Sequence, residues 1–76
     1  MSPKLPVVTS RQLIRALKKA GFVIHRQKGS HIHMKHEEPP MIVISVPYHN
    51  VDIKKGTLRR ILKDAKLSVN QFRELI

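Results

Sequence analysis

Seventy-six residues make one small domain, and a chain of that size buries only about 60% of its unfolded surface, so its stability is modest. There is no cysteine, which excludes a disulfide staple and a thiolate zinc site. Fifteen Lys and Arg against five Asp and Glu give a formal net charge of +10, a self-repelling balance whose usual use is to attract a polyanion, nucleic acid first. An anionic membrane is the rival partner, but the basic residues spread through every predicted element and no stretch has the polarised faces of an interfacial helix. The opening Met1-Ser2-Pro3-Lys4-Leu5-Pro6 lacks the apolar core of a signal peptide. The longest apolar run, Met41-Ile42-Val43-Ile44, is too short to span a bilayer, so the cytoplasm is the expected location.

Pro3 and Pro6 keep residues 1–8 extended, an arm ahead of a single domain over residues 9–76. Thr9 is placed to cap a helix, and Gln12 to reach back and complete a capping box. Leu13, Ala16, Leu17 and Ala20 then recur at helical spacing, with Arg11, Arg15, Lys18 and Lys19 largely on the other face. Gly21 follows, where a left-handed backbone is cheapest for glycine. Residues 22–27 alternate like a strand, Phe22 and Ile24 to one side, Val23, His25 and Gln27 to the other. Lys28-Gly29-Ser30 makes a turn, and residues 31–36 alternate again, Ile32 and Met34 one way, His31, His33 and Lys35 the other. Glu37-Glu38-Pro39-Pro40 is a second turn, and residues 41–46 are a β-branched third strand stopped by Pro47.

Residues 48–54 are a connecting loop to a second amphipathic helix, with Leu58, Ile61, Leu62 and Ala65 buried and Arg59, Arg60 and Lys63 exposed. Ser68 and Gln71 form another capping pair before a short helix carrying Val69, Phe72, Leu75 and Ile76. The expected class is α+β: a three-stranded antiparallel sheet with helices on one face and a short C-terminal helix. That α-β-β-β-α order is the order of a double-stranded-RNA-binding domain, which grips nucleic-acid backbone by shape and charge. The other sheet face is left to His31, His33 and Lys35.

Five histidines (His25, His31, His33, His36 and His49) are many for this length, and three readings compete for them. His31 and His33 lie two apart on a strand and so share a face, as metal ligands would, but no acidic or sulfur ligand is close in sequence. Polar residues on the wet face of a sheet account for His25, His33 and His36. Acid–base chemistry is the third reading, with His31 its best candidate. Glycine and serine just before it let a ligand approach closely, and the surrounding Lys and Arg favour a neutral imidazole, ready to accept the 2′-hydroxyl proton of RNA.

Lys54-Lys55-Gly56-Thr57 opens the second helix, where unpaired N–H groups and the dipole make either a phosphate cradle or a solvated helix start. Tyr48, the sole tyrosine, either stacks on a base or covers the edge of the core. With so few aromatic residues, stacked recognition on an aromatic strand is not expected.

The run Leu17-Lys18-Lys19-Ala20-Gly21-Phe22-Val23, then Arg26-Gln27-Lys28-Gly29-Ser30-His31, resembles the HicA toxin family, also called YcfA-like. So does Val46-Pro47-Tyr48-His49, followed by Ile53-Lys54-Lys55-Gly56-Thr57-Leu58-Arg59-Arg60-Ile61-Leu62; the likeness runs from Thr9 to Phe72. The resemblance implies a double-stranded-RNA-binding-like fold, a small ribonuclease toxin that cleaves mRNA, and a cognate HicB antitoxin that masks its site. It makes His31, in Gly-Ser-His, the catalytic residue. Lys66 departs from the family, which usually has glycine in Ala-Gly-Leu at that point, so a lysine must adopt or avoid a left-handed backbone there.

On this reading His31 is the general base of a metal-free transesterification. Lys28, Gly29, Ser30, Lys35, Lys54, Lys55 and Arg59 hold RNA, and His33, His49 or water protonates the leaving oxygen. No cofactor is expected, and the free protein is expected to be a monomer. The competing readings are a non-catalytic RNA-binding module with incidental histidines and an adaptor whose partner is an acidic protein.

Overall fold

The computed structural model describes residues 4–49 and 52–76; residues 1–3 of the expected arm and 50–51 of the expected loop lie outside them. The elements run α1 (Ser10–Lys19), β1 (Phe22–Lys28), β2 (His31–His36), β3 (Ile42–Pro47), α2 (Lys55–Asp64) and α3 (Val69–Leu75). The strands form one antiparallel sheet in the order β1-β2-β3, with β2 central. α1 packs on β1 and β3, α2 on β3, and α3 against α1. The expected α+β class and its helix-on-sheet arrangement are what the molecule has.

Local signals explain the boundaries. Thr9 accepts from the Gln12 N–H while the Gln12 side chain accepts from the Thr9 N–H, closing the capping box of α1; Ser68 and Gln71 repeat it for α3. Gly21 ends α1 at φ +102°, and a Cβ there would come within 2.6 Å of the His36 ring. α2 ends with Lys66 in the left-handed region at φ 59°. The Leu67 N–H donates to the Leu62 carbonyl and the Lys66 N–H to the Lys63 carbonyl, a Schellman closure that glycine would make at lower cost.

The core lies between helices and sheet. Leu13, Ala16 and Leu17 of α1, Leu58, Ile61 and Leu62 of α2, and Phe72 of α3 meet Phe22, Ile32, Met34, Ile44 and Val46. From the extended leading segment, Val8 is buried in the core and Leu5 packs against it. Val8 also accepts from the Ile53 N–H, and Thr9 pairs with Asp52 in an isolated bridge, so the start of the domain is tied to the segment leading into α2.

One strand departs from the simple alternation read in the sequence. The β1–β2 register is Phe22↔His36, Val23↔Lys35 and Ile24↔Met34, then shifts by one to Arg26↔His33, Gln27↔Ile32 and Lys28↔His31. His25 is the extra residue of a β-bulge. Beyond it the faces exchange, so Gln27, expected beside Val23, faces the helices with Ile32, while Arg26 and Lys28 face the open side. Ile24 faces the helices as expected but stays 45% exposed at the sheet edge.

His36 also departs from expectation. It shares the helix-side face of β2 with Ile32 and Met34, not the wet face. Its ring meets Phe22 edge-on, with centroids 5.2 Å apart, and its Nδ1 lies 3.2 Å from the Glu38 carbonyl.

Candidate functional site

The open face of the sheet is built in rungs. At the hairpin end Lys28, His31 and Pro47 stand side by side across β1, β2 and β3; next come Arg26, His33 and Ser45, then Val23, Lys35 and Val43. Directly paired residues point to the same side with Cβ atoms about 4.5–5.5 Å apart, so Lys28 on β1 and Pro47 on β3 are the direct cross-strand neighbours of His31. His31 is exposed, and His33 and Lys35 are half-buried.

The turn that sets this end of the sheet is Gly29-Ser30. Lys28 pairs with His31, which leaves a two-residue loop with Gly29 at φ 58°. Positive φ at the first loop position alone is the type II′ pattern, whose twist matches that of the flanking strands. A Cβ on Gly29 would meet nothing within 4 Å. Backbone handedness, rather than close approach of another group, therefore accounts for this glycine.

The far side of His31 is held by hydrogen bonds around Pro47. The buried Ser10 hydroxyl donates to the Pro47 carbonyl at 2.6 Å, and its oxygen accepts from the His49 N–H at 3.3 Å. Between them the Tyr48 N–H donates to the Ser30 carbonyl at 2.6 Å, tying the end of β3 to the turn. Ser10 was missed by sequence reading, because a serine just inside a helix start carries no signal of a long-range bond. Arg26 was missed because the alternation places it on the helix side.

The remaining candidates are dispersed. Lys35 lies two rungs from His31, about 13 Å along β2 at about 3.3 Å per residue. Lys54 joins Ser10, Pro47, His49, Asp52, Ile53 and Thr57 around a cavity of about 190 Å³, so Pro47 links the start of α2 to the His31 rung. Lys54 is the N-cap of α2, which has no side-chain cap bond. Lys55, Gly56 and Arg59 are exposed on α2. Lys28, Gly29, Ser30 and His31 are thus brought together, Lys54 is adjacent through Pro47, and Lys35, Lys55 and Arg59 stand apart. Among the described residues no three His, Asp or Glu side chains gather as a cation site.

The family model described as the HicA toxin of bacterial toxin-antitoxin matches residues 10–67. The chain belongs to the HicA toxin family. The matched stretch runs from the first residue of α1 to just past α2, and holds every candidate residue from Lys28 to Arg59. No curated protein matches the chain. As a HicA family member it is a toxin of a toxin–antitoxin system, which implies an antitoxin partner. Among the described residues no helix is long and apolar enough to cross a membrane.

Proposed function

We propose that this HicA family toxin is an endoribonuclease that cleaves mRNA in the cytoplasm without a metal, and that a HicB-type antitoxin silences it. The observation that carries the reading is the position of His31: exposed on the helix-free face, with Lys28 directly across the ladder. A histidine sealed in the core, or turned from the cationic side, would leave only RNA coating.

In the proposed step an imidazole nitrogen of His31 takes the 2′-hydroxyl proton, and the freed oxygen attacks the adjacent phosphorus. The bond to the 5′-oxygen breaks, and that oxygen takes a proton from His33, His49 or water. The products are a 2′,3′-cyclic phosphate and a 5′-hydroxyl end. Lys28 beside His31, and Arg26 one rung away, offset charge building on the phosphorane. Lys54 anchors backbone next to Pro47, and Lys35, Lys55 and Arg59 hold flanking nucleotides, their distance from His31 fitting binding rather than chemistry. Gly29 and Ser30 hold the turn that sets the rung.

The test is His31→Ala. One positioned base supplies about 10²–10⁴-fold, so cleavage of RNA by the pure variant in EDTA should fall by that order while RNA affinity changes little. Full cleavage by the variant would remove His31 from the mechanism. Intact RNA with the wild-type protein, bound but uncut, would favour the non-catalytic binding module.

A further inference from the structure

The helix side of the β1 edge carries a second feature that the open face does not use. A cleft of about 390 Å³ lies between α1 and β1, within the range of about 300–1,000 Å³ typical of ligand sites. Its floor is apolar, from Ile14, Ile24 and Ile32. Its rim is cationic: Arg11, Arg15 and Lys18 recur along α1 at spacings that keep them on one stripe. The bulge at His25 turns Gln27 into this cleft, adding an amide that both donates and accepts. Tyr48 forms one wall, and a second cleft of about 330 Å³, lined by Thr9, Arg11, Tyr48 and His49, shares Arg11 and Tyr48 with the first. No acidic side chain lines either.

We propose that the two clefts form one track for a single-stranded RNA segment, with a base seated on the apolar floor beside Tyr48 and phosphates on Arg11, Arg15 and Lys18. Its substrate class rests on the nuclease reading above. A nucleobase matches all three parts of the site at once: its flat face suits the apolar floor, its ring edge pairs with the Gln27 amide, and the phosphates on either side suit the rim. A base can reach the floor only when unstacked, which selects unpaired RNA over duplex. The track also ends in the right place. Tyr48 is bonded to the turn through Ser30, and its neighbour Pro47 is the rung partner of His31, so a strand leaving the track at Tyr48 passes over the hairpin tip toward His31.

The test uses the His31→Ala background, so that binding is read without cleavage. Fluorescence anisotropy with an unstructured RNA oligonucleotide should show about tenfold weaker binding for Arg15→Glu/Lys18→Glu. An equally large charge reversal on α2, Arg60→Glu/Lys63→Glu, should cost less than about threefold. All four side chains are exposed, and a thermal melt of each double variant checks that it is folded before its binding is read. Ile24→Asp should weaken the unpaired oligonucleotide more than a duplex of the same length. Equal losses from the two charge pairs, or a greater effect on duplex, would overturn the track and leave the nuclease reading standing. RNA binding unchanged in Arg15→Glu/Lys18→Glu, with antitoxin binding lost, would make the cleft a protein-docking surface instead. Wild-type protein that neither binds nor cuts RNA would overturn both proposals.

Discussion

Ser10 is the one polar side chain that the core takes in among the described residues, at 1% exposure, and it bonds to two backbone groups of the segment beside His31. A buried hydroxyl with both bonds made is nearly neutral, but removing it leaves the Pro47 carbonyl and the His49 N–H without that partner. Ser10→Ala should therefore destabilise the domain by about 1–3 kcal/mol. For a domain of this size each 1 kcal/mol moves Tm by about 4–8 °C, so a thermal melt reads it directly. A variant melting within a degree of wild type would mean that water replaces the hydroxyl at no cost. Lys66 shows the opposite economy at the residue scale: a lysine holds a left-handed position because the α2 closure and the burial of Leu62 and Ala65 fix the backbone around it.

At the scale of elements, the three helices, three strands and both capping boxes were legible, because each rests on local periodicity and short-range hydrogen bonds. The faces of β1 beyond Ile24 were not. Yet the conflict that forces the bulge is written in the chain. A two-residue Gly29-Ser30 turn pairs Lys28 with His31, and uninterrupted pairing would then set Phe22 opposite Glu37, on the side of His31 and His33. Phe22 has to face the helices with Ile32 and Met34, so one residue must be extra. Only its location, His25, needed the structure. The consequence is testable: His25→Ala, at an exposed position, should shift stability by no more than about 0.5 kcal/mol. Deleting His25 removes the extra residue and leaves an uninterrupted ladder from Phe22↔His36 to Lys28↔His31, so Phe22 keeps its face and the variant should still fold, at a cost of no more than about 1 kcal/mol. Urea unfolding of the two variants gives both numbers, and a deletion variant that does not fold would mean that the bulge itself is needed. The His31–Lys28 rung was half legible: the histidine's face followed from alternation along β2, whereas alternation from Phe22 sets Lys28 on the helix side and only the two-residue turn puts it beside His31.

At the scale of the whole molecule, a net charge of +10 on 76 residues opposes compaction. An antitoxin that binds only the folded toxin adds RT ln(1 + [L]/Kd), about 2.7 kcal/mol at 100 times Kd. The toxin–antitoxin complex should accordingly melt about 10 °C or more above the toxin alone. Scanning calorimetry of each decides it, and equal melting temperatures would mean that the antitoxin does not distinguish folded from unfolded toxin. The two sides of the sheet carry different obligations: Ile32, Met34, Ile44 and Val46 are fully committed to packing, whereas Lys28, His31 and Val43 are exposed. Disarming can thus be separated from unfolding. Under the proposed mechanism, changing one bare side chain would blunt the poison and leave a natively shaped protein, a safe decoy for titrating the antidote away from its live twin.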